Sequence, residues 1–283
     1  MALLAEIPEA DATGDLARIY EEMRVYCGVP YVSTLQRHVA TMPGCLEWIW
    51  MALKPGFLSG AVPETAWRCA TVEGAPPLPA LSDSALRLWG VDENAAETIG
   101  HVYATYIRVS PINLMFSDCL RLLLTGSDGG GQGTQTADWT PPAMLPPPPA
   151  MLDLDDLDED RRAVLLQLGE PGPGGQLMVA GLYRYLAAWP GYLAHAATLL
   201  GPLFTDPAVR KACDAIARRI TQAAPEVLAT LPPVPDTLPR PTAEQIAAIV
   251  PALDMFKKTS PEMIVFSTLL RDALPGAGDA DGS

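Results

Sequence analysis

The sequence predicts an all-α protein made of two tandem helical repeats, related by a pseudo-twofold axis and joined by a long Gly/Pro-rich linker. Two observations lead to this fold class. Apolar residues recur at helical intervals, and no segment alternates with period two for long. In addition, two blocks of sequence recur in the same order with nearly the same offset, which indicates an internal duplication.

The first recurring block is residues 32–57, which match residues 179–204 with an offset of 147. Both copies contain a valine, an arginine five residues later, a Pro-Gly pair and a final Leu-x-Pro-x-Phe. The second block is residues 110–124, which match residues 260–274 with an offset of 150. Each copy begins with Ser-Pro and contains Phe-Ser and a later arginine. The small change of offset is explained by an insertion in a loop.

Local signals predict where the helices lie. Residues 15–26 carry apolar side chains at positions 16, 19, 20 and 23, which is the spacing of one helix face. A proline that follows a helix, or that stands behind a capping Ser or Asp, marks other boundaries. The predicted helices are 15–26, 30–42, one that begins at Pro43, three that begin at Ser110-Pro111, Asp206-Pro207 and Ser260-Pro261, and 242–258 with a bend at Pro251.

The domain boundaries follow from residues 126–152, which are rich in glycine and proline. Glycine does not hold a helix and prolines favour extended structure, so we expect a linker without regular secondary structure, anchored by Trp139. Repeat 1 is then residues 1–125 and repeat 2 is residues 153–274. Residues 275–283 are expected to form a disordered tail.

Charge and composition exclude several classes of protein. A net charge of −14 disfavours nucleic acid and anionic membranes as partners. The apolar stretch 184–204 is interrupted by Pro190-Gly191, and the N-terminus lacks the pattern of a signal peptide, so we expect a cytoplasmic protein without a membrane span. The cysteines form no Cys-x-x-Cys pair and are expected to be reduced and buried; they are Cys27, Cys45, Cys69, Cys119 and Cys213.

The second helix of each repeat indicates where a site would lie. One stripe keeps its apolar character in both copies and is expected to be core: Val32, Leu35 and Val39 recur as Val179, Leu182 and Leu186. The neighbouring stripe diverges: Tyr31, Thr34 and His38 become Met178, Gly181 and Tyr185. A face that lines an asymmetric cleft is free to diverge in this way. The alternative is that this stripe is only the interface between the two halves.

The stretch "DLARIYEEMRVYCGVPYVSTLQRHVATMPGCLEWIWMALKP", together with the tandem repeat and the long linker, resembles the group I 2-haloacid dehalogenases, the DehI family. The resemblance covers both halves. It implies hydrolysis of small 2-haloalkanoic acids of both configurations, without a metal or an organic cofactor. It also implies that an aspartate in the second half and an asparagine in the first activate a water, which displaces the halide directly with inversion.

Of the two catalytic residues that the resemblance implies, only the asparagine has a counterpart in this sequence. Asn113, in "SPINL", stands where the asparagine is expected, and its counterpart in the other repeat is Met263. The alternative for Asn113 is a polar residue in the first turn of a helix. The aspartate is expected at or beside Gly181, but the sequence has no Asp or Glu from Pro171 to Thr205. Either another base has replaced it, or the reaction differs, or the protein only binds its ligand.

Other candidate residues follow from the divergent stripe. His38 is the second catalytic candidate, because its ordinary pKa suits a general base, although a lone histidine is often only packed. His195, the counterpart of Trp48, and Asp118, whose expected partner is Arg121, are weaker candidates. Arg37 and Arg184 recur, which favours a structural role. The predicted substrate-binding residues are Tyr31, Thr34, Gly181, Leu182, Tyr183 and Tyr185, with a cavity enlarged by the missing side chain at Gly181.

The sequence therefore supports two hypotheses of function. The first is a DehI-like hydrolase of a small carboxylic acid, with an altered substrate or reaction. The second is a catalytically silent protein that binds a small molecule on the same scaffold. The sequence has no Gly-x-Ser-x-Gly, His-Glu-x-x-His or P-loop motif, and its three histidines show no metal-ligand spacing, so no metal site is predicted. Assembly as a homodimer is left open.

Overall fold

The computed structural model describes residues 4–126, 139–171, 177–234, 237 and 239–276. Within these ranges the chain forms eleven α-helices, which confirms the all-α class. The helices are α1 (Gly14–Cys27), α2 (Thr34–Val39), α3 (Cys45–Leu58), α4 (Ala61–Cys69), α5 (Asp83–Leu88), α6 (Glu93–Leu124), α7 (Glu159–Gln167), α8 (Gly181–Leu186), α9 (Pro190–Leu200), α10 (Pro207–Ala229) and α11 (Ala243–Asp272). One antiparallel pair of two-residue strands, β1 (Glu170–Pro171) and β2 (Leu177–Met178), was not predicted.

The chain forms two compact units, and each takes segments from both predicted repeats. The first unit comprises Met1–Thr71, Arg108–Leu145 and Ala215–Pro261; the second comprises Val72–Ile107, Pro146–Asp214 and Glu262–Ser283. In the first unit, α3 packs against α1, α2 and α4. In the second unit, α9 packs against α7 and α8. The division into two repeats stays a prediction about duplicated sequence, and the compact units are a different division of the chain.

The helices themselves follow the predicted duplication. Adding 147 to the bounds of α2 gives the bounds of α8, and adding 150 to the first residue of α6 gives the first residue of α11. The caps recur as well. Asp92 Oδ1 accepts a hydrogen bond from the Ala95 N–H at 2.8 Å before α6, and Thr242 Oγ1 accepts one from the Gln245 N–H at 3.2 Å before α11.

The recurring arginines make equivalent ion pairs, one in each unit. Arg37 on α2 pairs with Glu6 at 2.8 Å, and Arg184 on α8 pairs with Asp153 at 3.1 Å. Glu6 and Asp153 are also 147 residues apart. Each arginine therefore ties a short helix to a segment earlier in the chain, which supports the structural role that recurrence predicted for both.

Several predicted helix boundaries were wrong. Ser110-Pro111 and Ser260-Pro261 do not begin helices, because Pro111 lies inside α6 and Pro261 lies inside α11. A proline inside a helix removes one backbone hydrogen bond, and the packing of the buried faces on both sides of it offsets that loss. The predicted helix 30–42 is also shorter, since Ser33 is extended and α2 begins at Thr34. The helix start at Asp206-Pro207 is confirmed.

The described part of the linker has an anchor where one was predicted. Residues 139–150 form no helix or strand, and residues 127–138 lie outside the described ranges. Trp139 Nε1 donates a hydrogen bond to Glu64 at 2.8 Å. Its indole ring covers Gly60, where a Cβ would lie 2.5 Å from the ring. Trp139 therefore holds the end of the linker on the first unit.

No helix in the described ranges is long and apolar enough to cross a membrane. The cores contain all five cysteines, which are buried and unbridged, as predicted. Burial raises the pKa of the Cys27 and Cys213 thiols to about 12 and that of Cys45 to about 11. The protonated thiols are thus packing groups, since the thiolate is the reactive form.

We expect the native protein to react with Ellman's reagent at pH 8 at least ~100-fold more slowly than free glutathione, because burial limits both access and ionisation of the thiols. After denaturation, five thiols should react, one for each cysteine. The measurement is absorbance against time with and without guanidinium chloride. A native thiol that reacts as fast as glutathione would show that one cysteine is not buried in solution.

Candidate functional site

The buried face of α6 in the first unit carries Asn113, the predicted catalytic amide. Asn113 is 7% exposed, and Gln36 on α2 is 6% exposed. Gln36 Nε2 donates a hydrogen bond to Asn113 Oδ1 at 3.2 Å. Because Asn113 Oδ1 accepts this bond, the amide is oriented with its Nδ2 donors directed elsewhere. Asn113 is therefore not a first-turn residue but a mid-helix side chain held by a second amide.

A small cavity lies beside this amide pair, within the first unit. Its volume is about 10 Å³, which is room for roughly one water molecule. Its polar lining comes from Tyr31, Ser33, Gln36 and Asn113. Except for the Cys27 thiol, the other lining side chains are hydrophobic. The predicted residues Tyr31 and Asn113 are thus brought together at one cavity.

This cavity has hydrogen-bonding groups but no base. None of its lining residues is an Asp, a Glu or a His. Cys27 does not supply a thiolate near neutral pH, because burial raises its pKa to about 12. The lining can therefore bind and orient a small polar molecule, and proton removal needs a group that does not line the cavity.

Two predicted residues on α2 point to other partners in the first unit. Thr34 Oγ1 accepts a hydrogen bond from Arg37 Nη2 at 3.3 Å. His38 Nδ1 lies 2.8 Å from the carbonyl oxygen of Ala5, and its Nε2 has no hydrogen-bond partner among the described residues. Neither side chain lines the Asn113 cavity. Their catalytic and binding roles remain predictions.

In the second unit, the space beside Gly181 is filled. Gly181 is the first residue of α8. A Cβ at this position would lie 2.5 Å from the Tyr106 hydroxyl oxygen and 3.1 Å from the Met151 methyl carbon. The expectation that the missing side chain enlarges a cavity is therefore wrong, because Tyr106 and Met151 occupy that space. A phenol hydroxyl stands where the resemblance implies a carboxylate.

Of the other predicted residues of α8, two are buried in the second unit and one is partly buried. Leu182 is 0% exposed and Tyr183 is 1% exposed, whereas Tyr185 is partly buried. The Tyr183 hydroxyl has no hydrogen-bond partner among the described residues. Burial, and then the negative charge of Glu262, raises the pKa of Tyr183 far above its ordinary value. Substrate contact by these three residues remains a prediction.

The structure describes two buried carboxylates, and each has a basic partner in its own unit. In the second unit, Glu262 is 2% exposed and forms an ion pair with Arg210. In the first unit, Asp118 is 4% exposed and accepts a hydrogen bond from Thr221 at 2.5 Å, with Lys257 Nζ 3.4 Å away.

The prediction for Asp118 was wrong, since it expected a surface pair with Arg121. Arg121 pairs with Asp254 instead. Asp118 lies on the face of α6 that packs towards α10 and α11 in the first unit, where Thr221 and Lys257 supply its partners. Side chains three residues apart on a helix can form an ion pair when both lie on its exposed face. Asp118 is buried, so it does not pair with Arg121 on that face.

His195 and its repeat counterpart Trp48 both have ring partners in their own units. The imidazole of His195 stacks on Trp89, with ring centroids 3.9 Å apart and an interplanar angle of 18°. Burial lowers the pKa of His195. In the first unit, the Arg240 guanidinium lies 5.7 Å from the Trp48 ring centroid. His195 is thus a packed ring that favours the neutral state.

Two residues that build these environments were not identified from the sequence. Gln36 falls on the same helical stripe as Val32 and Val39, so its burial was predictable from spacing alone. Its repeat counterpart is Tyr183, so it also diverges between the copies, as the candidate residues do. Tyr106 gave no such signal, because its contact with Gly181 joins segments that are distant in sequence. No cluster of three or more His, Cys, Asp or Glu in the described ranges could hold a metal.

Known proteins that resemble this chain are 2-haloacid dehalogenases. An (R)-2-haloacid dehalogenase from Rhizobium sp. (strain NHG3) is 25% identical over 241 residues, which is 82% of this chain and 90% of that protein. No family model matches the chain.

Solved structures of D-2-haloacid dehalogenases share the fold. A mutant enzyme superposes with a TM-score of 0.73 at 19% identity, over 96% of both chains. A mutant in complex with D-2-CPA gives a TM-score of 0.71 at 20% identity, over 96% of both chains. A complex with L-LA gives 0.70 at 20% identity, over 96% of this chain and 97% of that one.

The contact between Gly181 and Tyr106 predicts a compensating pair of substitutions. Gly181→Ala should destabilise the protein by about 1–3 kcal/mol, because its methyl group overlaps the Tyr106 hydroxyl. In the Tyr106→Phe background the same change should cost about 1 kcal/mol less, since the overlapping oxygen is gone. Urea unfolding of the four proteins gives the coupling free energy.

Gly201→Ala is the matched control in the same unit, because no atom lies within 4 Å of a Cβ built there. We expect its effect to stay within about 0.5 kcal/mol of zero. If Gly181→Ala is as harmless as Gly201→Ala, the Tyr106 hydroxyl does not occupy that space in solution.

Proposed function

Since the chain has the fold of the D-2-haloacid dehalogenases and is DehI-like in sequence, we propose that it is a hydrolase of the 2-haloacid dehalogenase type. Its substrate is a small carboxylic acid with a leaving group at C2. The resemblance covers most of both chains, so it includes all the segments that carry Asn113 and Gly181.

One observation carries this proposal: a buried asparagine amide, already oriented by a hydrogen bond, faces a cavity that has room for a water. In displacement by water, the water oxygen forms a bond to C2 while the carbon–halogen bond breaks. The halide leaves with the electron pair, and a base takes the proton of the water. Asn113 holds the water in place, and the carbon skeleton of the substrate takes space outside this cavity, which has room for about one water.

The base differs from the one that the family resemblance implies. Gly181 has no side chain, and the Tyr106 hydroxyl fills the place beside it. We therefore propose that the reaction uses another carboxylate or has an altered substrate. Of the two buried carboxylates described, Asp118 lies on α6 in the same unit as Asn113, whereas Glu262 lies in the second unit and is paired with Arg210. Asp118 is the stronger candidate on that ground.

The second candidate function is a silent binding protein, and the composition of the cavity favours it. The lining of the Asn113 cavity provides amides and hydroxyls but no proton acceptor of the required strength. Such a protein would bind a small carboxylic acid and release it unchanged. Binding by calorimetry, without chemical change of the ligand, distinguishes this function from hydrolysis.

We expect purified protein to release halide from D- or L-2-chloropropionate, with inversion at C2. Asn113→Ala should lower kcat at least about 100-fold, because the attacking water loses its orientation. Asn94→Ala is the matched control, since Asn94 is an exposed residue of α6. Ion chromatography for halide and chiral analysis of the hydroxy acid measure both outcomes. Binding of the haloacids without any release of halide would refute haloacid hydrolysis and support the binding protein.

The choice of base is tested by two isosteric substitutions. Asp118→Asn should lower kcat at least about 100-fold if this carboxylate takes the proton. Glu262→Gln should leave kcat within about threefold of the parent, since a carboxylate that takes no part in the proton transfer is not needed for the chemical step. Unfolding midpoints show whether either variant is misfolded. A folded Asp118→Asn variant that keeps the parent kcat would show that Asp118 is not the base.

A further inference from the structure

The side-chain amide of Gln36 makes a hydrogen bond through its nitrogen but none through its oxygen among the described residues. Its Nε2 donates to Asn113 Oδ1, whereas its Oε1 is buried and accepts no hydrogen bond among the described residues. A buried acceptor without a partner is costly, and native proteins usually satisfy it with protein or with ordered water. Gln36 also lines the cavity beside Asn113. The acceptor and the cavity are therefore parts of one polar site.

The hydrogen bond between the two amides determines which hydrogen-bonding groups are available to a molecule in this cavity. With Asn113 Oδ1 occupied by Gln36, Asn113 offers N–H donors, and Gln36 offers a carbonyl acceptor. A water fits both: its oxygen accepts from Asn113 Nδ2, and one of its hydrogens is donated to Gln36 Oε1. The volume of about 10 Å³ holds roughly one such molecule.

We propose that Gln36 is a positioning residue that orients Asn113 and, together with it, binds the water that reacts. This inference rests on the proposed hydrolase function and adds a second residue to its site. Two bonds to the amides hold the water oxygen and one hydrogen. The second hydrogen and one lone pair remain available for the base and for C2 of the substrate.

The repeat supports a special role for this pair rather than a general packing role. The counterparts of Gln36 and Asn113 in the second unit are Tyr183 and Met263, both of which are buried. The duplicated helices α8 and α11 thus fold with a phenol and a thioether at these positions. The scaffold does not require two amides there, so their presence in the first unit points to a ligand.

A crystal structure of the full chain tests the water site without reference to activity. We expect an ordered water within hydrogen-bond distance of both Gln36 Oε1 and Asn113 Nδ2, and its loss in Gln36→Met. A dry cavity in the parent, or a water that contacts neither amide, would overturn the inference. This result is independent of halide release, so failure of the proposed function and failure of the water site are distinguishable.

Kinetics test the positioning role. Gln36→Met should lower kcat about 10- to 100-fold with less than about a threefold change in KM, because the water is misplaced while the substrate still binds. Gln222→Met, at an exposed position of α10 in the same unit, should change neither. A merely structural Gln36 would lower the unfolding midpoint and leave kcat unchanged, and that outcome would overturn the proposal.

Gln36→Glu should give a pH-dependent change in kcat, which a change of packing alone would not produce. The ionised carboxylate has no donor for Asn113 Oδ1, whereas the protonated carboxyl has one donor and one acceptor, like the glutamine. The ratio of variant to parent kcat should therefore rise as the pH falls through the pKa of the new carboxyl group. A ratio that is independent of pH would count against the positioning role.

Discussion

The hydrogen bond from Gln36 to Asn113 is the interaction on which the candidate site depends. Two uncharged amides are buried among hydrophobic side chains, where each polar atom needs a partner. Their mutual hydrogen bond uses one N–H of Gln36 and the Oδ1 of Asn113, and both residues line a single small cavity. The chemistry of the cavity is thus set by the pairing of the amides and not by any charged group in its lining.

The repeated sequence relates the helices that carry this pair in the first unit to helices that carry different groups in the second. The helix bounds, the caps and the arginine–carboxylate pairs recur, so these features hold the fold in both units. The side chains between them have diverged. The first unit buries two amides, whereas the second buries a phenol and a thioether, Tyr183 and Met263, at the counterpart positions. A scaffold fixed by recurring contacts tolerates such changes of polarity in its core.

Features determined by neighbouring residues were predictable from the sequence, and features determined by distant segments were not. The helical class, the burial of the cysteines and the anchor at Trp139 follow from composition and local pattern. The helix starts at Ser110 and Ser260 were wrong because burial on both sides of a proline carries the helix through it. Asp118 found partners on α10 and α11, and Tyr106 met Gly181, through folding that no local pattern reveals. Gln36 could have been identified from the sequence, because the helical stripe on which it lies was predicted to be buried.

The contact at Gly181 also constrains the order in which substitutions can accumulate. A Cβ at position 181 would lie 2.5 Å from the Tyr106 hydroxyl oxygen, so a side chain at position 181 requires the phenol to move. A substitution at 181 alone therefore costs folding free energy until the phenol shifts or position 106 changes as well. The two positions thus restrict each other's substitutions, although they lie on segments that are distant in sequence.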